Sequence, residues 1–290
     1  MNRSILFHWS IDHYLHALLS ALALASAFIL LLIVAFLLIE AWPVLSGSHW
    51  QAFFTDASWY PLEEQFGLLP MLVASLTIML GAMLIATPLG LASAIFVTFF
   101  ASGFLLRSYR LLISLLAGMP SVVLGLWGLT VLVPLIASYQ PPGASLLAAT
   151  VVLALMILPT IALAAAAALA AIPDHLMSAA AALGMRRKTQ ILNVALPAAR
   201  LGIWSALLMA MARALGETMV VLMVAGNVVQ YPHGLFDPVR ALTANIALEM
   251  GYAMGDHRAG LFASGLMLTL IVLLLAWLAT MITARSSSYE

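Results

Sequence analysis

Apolar residues run through the chain in six long stretches, roughly Tyr14–Ile39, Leu68–Phe100, Tyr109–Ala137, Ser145–Ile172, Ala198–Ala225 and Gly260–Ala284. An apolar run of about 20 residues is enough to cross a bilayer as a helix. An open strand in hydrocarbon would leave its backbone groups without partners, so each stretch is read as a helix. The pattern therefore predicts an all-α polytopic membrane protein with six transmembrane helices. The second stretch exceeds one crossing and carries Pro88-Leu89-Gly90, which predicts tilt or a kink. Pro120, Pro134 and Pro159 fall within the third and fourth. A proline in a span is tolerated where neighbouring protein or water satisfies the freed carbonyl, which argues for a bundle around a pathway.

Composition agrees with the pattern. Of 290 residues, 64% are hydrophobic and only 8% charged, and mean hydropathy is +1.12. Soluble domains carry about 25% charged residues, so a water-soluble globule is excluded. Eleven basic residues balance eleven acidic ones, which gives no sign of nucleic-acid binding, and without cysteine there is neither a disulfide nor a thiolate metal site. Met1–His16 lacks the pattern of a cleaved signal, so the first span is expected to remain as an anchor.

The polar connections set the orientation. With the amino terminus inside, the inner segments hold Arg3, Arg107, Arg110, Arg186, Arg187, Lys188, Arg200 and Arg285, whereas the outer ones hold Arg240 and Arg258. Arg213 lies within the fifth stretch. Eight against two satisfies the positive-inside rule and predicts that both termini are cytoplasmic. The outer segments are then 41–67, with Asp56, Glu63, Glu64, Trp42, Trp50, Trp59 and Tyr60, and 227–259. Their tryptophans suit interfacial anchors and partner contacts equally. Asp237, Glu249 and Asp256 are expected to be solvated, with Asp256, His257 and Arg258 placed to touch a partner outside. The chain shows no repeat of period 20–50 and no Gly-rich phosphate loop, so it carries no ATP-binding motif and any power must come from elsewhere.

The connection between the fourth and fifth stretches, residues 173–197, is the most informative. Pro173 and Asp174 suit the first turn of a helix, where a missing N–H is harmless and a carboxylate meets the dipole. Four alanines, Ala179–Ala182, allow close packing against a partner. Gly184 marks a C-cap, and an amphipathic piece follows from Lys188 to Leu196 before Pro197. This helix–glycine–helix resembles the coupling-loop signature of ABC importer permeases: Glu-Ala-Ala, three residues, Gly, a spacer of nine, then Ile-x-Leu-Pro. Ala179, Ala180, Gly184, Leu196 and Pro197 match it, while Ser178 stands at the glutamate position and Val194 replaces the isoleucine. By that resemblance, Ser178, Ala179, Ala180, Gly184, Arg186, Arg187, Leu196 and Pro197 couple the chain to an ATPase. An interfacial amphipathic hairpin would explain the polarity but not the spacing.

Three further segments narrow the resemblance. Gly118-Met119-Pro120-Ser121-Val122-Val123-Leu124-Gly125-Leu126-Trp127-Gly128, Met156–Ile161 and Ala212–Asn227 are similar to the permeases of the phosphate-specific (Pst) importers. The match is strongest to the C-type subunit and spans 66–284. The resemblance implies a single MetI-like domain over 1–290 with a type I importer permease fold, multi-pass in the bacterial inner membrane. It implies non-catalytic transport of inorganic phosphate by alternating access. It also implies a second, A-type permease, two ATPase subunits and an extracytoplasmic phosphate-binding protein. No cofactor is expected in this chain, ATP and Mg being bound by the ATPase.

Arg213 and Glu217 lie four apart in the interior of the fifth stretch, beyond Arg200 at its inner end. On a continuous helix they share a face and reach one another. A charge at the centre of a span costs about 2.5–3.5 kcal/mol, so it should face the bundle interior with a partner. Arg213 could offer a cation and donor fork to a phosphate oxyanion, with Glu217 holding the guanidinium when the site is empty. A structural ion pair is the alternative. The family resemblance favours transit, since such sites there include this pair. Thr218 adjoins it, and Ser121 and Thr160, each following a proline, could line the path or satisfy local carbonyls. Gly125, Trp127 and Gly128 suit close helix packing. The scattered methionines and histidines, including His8, His13 and His16, have no ligand spacing, so no metal site is expected. Two other functions remain open: the same architecture for molybdate, tungstate or sulfate, and a membrane enzyme or sensor without transport.

Overall fold

The computed structural model describes residues 3–47, 52–63 and 65–284. Trp50, Glu64 and Arg285 lie outside the described residues, as do the side chains of Arg3, His8 and His13. In chain order the elements begin with α1 (Arg3–Leu45), α2 (Ala52–Thr55) and a two-residue hairpin of β1 (Trp59–Tyr60) with β2 (Gln65–Phe66), which pairs Trp59 with Phe66. Next come α3 (Leu69–Ile95), extended by a π-helical turn Phe96–Phe100, then α4 (Gly103–Gly118), α5 (Ser121–Trp127) and α6 (Val133–Ala137). They are followed by α7 (Leu146–Ala170), α8 (Asp174–Ala182), α9 (Arg187–Gln190), α10 (Leu196–Ala198) and α11 (Arg200–Leu215). The last three are α12 (Met219–Val224), α13 (Leu242–Glu249) and α14 (Gly255–Ala284).

Among the described residues four helices are each long and apolar enough to cross a membrane, and the number rises to six if two bent pairs count as one span each. The second and fourth apolar stretches form helices almost end to end as expected. The first forms a helix longer at both ends. The third does not form one helix: Met119 and Pro120 are extended, with ψ 131 and 136, and the chain turns by 92° between 103–118 and 121–137. Pro120 has no N–H to donate and its ring excludes the helical region for Met119. The fifth also breaks, α11 ending at Leu215 and α12 starting at Met219. At 1.5 Å per residue, the 16 residues of α11 reach only about 24 Å. The run 187–198, bent by 69° against α11, forms the other bent pair. π-Helical turns at Gly128–Leu132 and Ile191–Ala195 stand just before Pro134 and Pro197, where a proline cannot supply the next backbone donor.

Packing sets the direction of each crossing. A Cβ on Gly81 would lie 2.8 Å from Thr150 Cγ2, and one on Gly90 would lie 2.8 Å from Ile161 Cγ2. The two sequences rise together along this contact, so α3 and α7 are parallel, and α4–α6 must bring the chain back between them. Gly202 near the start of α11 meets Ala168 near the end of α7, making that pair antiparallel. Phe36 stacks edge-on with Phe262, and Glu40 faces Arg258, so α14 runs opposite to α1. Small residues permit these approaches, as they do where lipid removes the hydrophobic drive between helices. One end of the bundle collects the C-termini of α3 and α7 with α8–α10, the helical hairpin that turns at Gly184. The other gathers the β hairpin, α13 and the start of α14. The segment 227–259, read from sequence as an outer loop, folds back onto the bundle through α13, whose Leu242–Asn245 are buried.

Candidate functional site

Local rules build the hairpin well. Pro173, extended at ψ 132, stands at the N-cap of α8 and Asp174 opens its first turn. At the other end, Gly184 N–H donates to Ala181 O at 2.9 Å and Met185 N–H to Ala180 O at 3.3 Å. These two bonds form the Schellman closure, and Gly184 has the positive φ of 73° that the motif requires. Ala180, Ile191 and Ala195 are buried toward the bundle. Ser178, Ala179, Gly184, Arg186 and Pro197 are exposed, Leu196 is half-buried, and the neighbouring Leu183 is 82% exposed. Among the predicted coupling residues, Arg187 turns back to its own chain, donating from Nη2 to Phe99 O with its guanidinium carbon 5.6 Å from the Phe100 ring centre.

The break in the fifth stretch places the other candidates. Gly216, Glu217 and Thr218 separate α11 from α12, so Arg213 and Glu217 do not sit on one helix face, and no ion pair joins them among the described residues. The expectation of a guanidinium held by Glu217 is thus corrected. Glu217 is 8% exposed, and its Oε1 accepts from Val220 N–H at 3.1 Å, capping α12. A carboxylate suits the positive end of a helix. Its backbone carbonyl accepts from Thr243 Oγ1 at 2.8 Å, which fixes the break from a residue on α13. Arg213 is exposed and has no hydrogen bond or ion pair among the described residues. Thr218 donates to Gly216 O at 3.3 Å.

The candidates are not gathered into one closed site. Glu217 shares a cavity of about 10 Å³ with Ser75, Ile78 and Thr243. That is about one water and no oxyanion. Neither Ser121, half-buried at the start of α5, nor Thr160, half-buried within α7, lines it.

A polar centre at the opposite end is absent from the sequence reading. Glu249, expected in solvent, is 7% exposed. Its Oε2 accepts from Trp59 Nε1 at 2.7 Å and meets His257 Nε2 at 2.8 Å, while Oε1 accepts from Arg240 Nη1 at 2.7 Å. Arg240 also donates to Asn227 O at 2.9 Å and Asn245 Oδ1 at 3.0 Å. A buried carboxylate is tolerable only when paired and hydrogen-bonded in this way. Asp256 is exposed, as expected. The sequence signal was Arg240, one of two basic residues in otherwise unpositive outer segments.

An apolar bundle with broken spans and a capped helix–glycine–helix at one end has the architecture of a membrane permease subunit. The chain belongs to the family of binding-protein-dependent transport system inner membrane components, whose profile matches residues 86–288. It is 39% identical over 239 residues to the "Probable ABC transporter permease protein YqgH" of Bacillus subtilis, covering 80% of this chain and 77% of that protein. To the phosphate transport system permease protein PstC of Xylella fastidiosa it is 32% identical, covering 96% and 92%. The PstC of Mesorhizobium japonicum is 33% identical, covering 83% of each. Among solved structures, an inward-facing form of the MetNI methionine ABC transporter matches at a TM-score of 0.59 and 20% identity, over 78% of this chain and 99% of that one. An amino acid ABC transporter structure with histidines gives a TM-score of 0.57 at 17% identity, over 78% and 96%. The chain is thus a non-catalytic, multi-pass inner-membrane permease of the MetI-like fold, working with ATPase subunits and another permease.

Proposed function

We propose that this permease carries inorganic phosphate into the cytoplasm by alternating access. The observation that carries the substrate is the similarity to proteins named as phosphate permeases over almost the full chain, 96% in one case. An extracytoplasmic binding protein delivers the anion at the Glu249 end, and ATP and Mg act on the ATPase partners beneath the hairpin. Both termini then lie in the cytoplasm, in keeping with the basic residues at 186–188. Exposed Ser178, Ala179, Leu183 and Arg186 form the face offered to the ATPase.

Arg213 is the proposed transit cation. A guanidinium in an apolar span belongs against protein or a water-filled cavity, and here it is exposed in the single chain. This exposure supports a position on a surface shared with the second permease, where the pathway would run. Glu217, occupied in capping α12, leaves the guanidinium available to an oxyanion. Ser121, Thr160 and Thr218 are proposed to line the route in the open state.

Uptake of labelled phosphate, molybdate, tungstate and sulfate by the reconstituted complex with its cognate binding protein tests the reading. Phosphate uptake that the other three anions fail to compete is expected. Uptake of molybdate but not phosphate would assign the same architecture to a different oxyanion, and ATP turnover without uptake of any of the four would contradict transport of this class.

A further inference from the structure

The exposed end of α3 and the hairpin meet at one side chain. Arg187 is the first residue of α9, three residues beyond the Gly184 closure. Its Nη2 donates to Phe99 O, and its guanidinium lies over the Phe100 ring at 5.6 Å. Phe96–Phe100 is the π-helical turn that ends α3. The last carbonyls of a helix have no intrahelical donor, and that end carries partial negative charge, so a cationic donor answers both needs. Beside this polar contact one buried apolar cluster joins Ala94 of α3, Ala165 and Leu169 of α7, and Ala195 and Ala199 of the hairpin side. This cluster seats the hairpin against α3 and α7, and Arg187 adds a polar contact to the end of α3.

From this point α3 runs back through the bundle, held along α7 by the close approaches at Gly81 and Gly90. Toward its other end, Ser75 Oγ donates to Met71 O at 2.8 Å and accepts from Leu242 N–H at 3.0 Å. The next residue, Thr243, donates to the Glu217 carbonyl at the break between α11 and α12. Twenty-four residues of helix separate Phe99 from Ser75, about 36 Å at 1.5 Å per residue. One continuous element therefore connects the hairpin to the break beside Arg213.

We propose that Arg187 is a positioning residue, a latch that fixes the hairpin to α3 so that a displacement of the hairpin moves α3 and, through Ser75 and Leu242–Thr243, the break at Glu217. This rests on the reading of the hairpin as the ATPase contact. It assigns to Arg187 a role within its own chain, leaving Arg186 and Lys188, both exposed, for the partner.

The test uses the assembled transporter with Arg187→Gln, Arg187→Lys and Arg187→Cys. A charge at a helix end plus a cation–ring contact amounts to about a tenfold bias toward the latched form. Arg187→Gln is therefore expected to lower the number of anions moved per ATP about tenfold, with Arg187→Lys retaining most of the ratio. The chain contains no cysteine, so with cysteine-free partners Arg187→Cys can be modified selectively. An aminoethyl methanethiosulfonate adduct should restore the ratio, and the uncharged methyl adduct should not. Amide exchange at 96–101 and 187–199 should rise about tenfold in Arg187→Gln; this readout involves no substrate and judges the latch even if the phosphate assignment fails. An unchanged ratio, unchanged exchange at 96–101, or equal rescue by the neutral adduct would overturn the proposal. Loss of the co-purifying ATPase with unaltered exchange would also overturn it, by placing Arg187 at the partner instead.

Discussion

Glu249 offers the sharpest test of the architecture. Replacing it with alanine removes the acceptor of Trp59 and Arg240 and the partner of His257 in one step. Arg240, whose side chain is only 19% exposed, is then left without its carboxylate. Removing one member of a buried ion pair costs about 3–5 kcal/mol, because the remaining charge is uncompensated. With an unfolding entropy of about 2.1 cal/mol/K per residue, 290 residues give about 0.6 kcal/mol/K, so the midpoint falls by about 5–8 °C. Thermal unfolding of the purified chain in detergent, followed by the loss of monodisperse protein on size exclusion at one fixed heating rate, reads this directly. The control is the double variant Glu249→Leu with Arg240→Met, which orphans neither charge and should recover at least half of the loss. A midpoint within about 1 °C of wild type for Glu249→Ala, well below the shift expected for a buried pair, would mean that the carboxylate is solvated and would refute the reasoning.

Two further substitutions probe packing and the hairpin. Gly90→Ala puts a Cβ 2.8 Å from Ile161 Cγ2 and 2.9 Å from its Cβ; overpacking of this kind costs about 1–3 kcal/mol, visible as a lower midpoint in the same assay, and an unchanged midpoint would count against close α3–α7 contact. Gly184→Ala forces a residue with a Cβ to φ 73°; a penalty of about 1–2 kcal/mol should raise amide exchange across 180–186 with little effect on the bundle, whereas unchanged exchange would dismiss the Schellman closure.

What was legible in the sequence followed the range of the interactions. The second and fourth spans were read to within a residue or two because unbroken apolar runs need nothing beyond themselves. The closure at Gly184 was legible too, since all of its bonds lie within six residues. Pro120 was visible, but the 92° turn depends on how the chain packs on either side of it. The end of α11 was not legible: Gly216-Glu217-Thr218 reads as a helical continuation, and its break is held by Thr243, 26 residues later. With the helix broken there and Glu217 capping α12, Arg213 and Glu217 do not pair. Glu249 was misread as solvated because its partners lie 8, 9 and 190 residues away. Likewise, Arg187 belonged to a basic cluster whose sequence says nothing of Phe99, 88 residues earlier.

The proposed role of Arg213 as the cation presented to phosphate in transit is tested in proteoliposomes holding the complete transporter. The measurement is the initial rate of ATP-dependent uptake of labelled phosphate for wild type and Arg213→Gln, each at equal content of assembled complex. Loss of a charge-assisted contact of about 1.5–3 kcal/mol predicts a fall of about ten- to a hundredfold for Arg213→Gln, with the ATPase still bound. Uptake by Arg213→Gln at the wild-type rate would contradict that role.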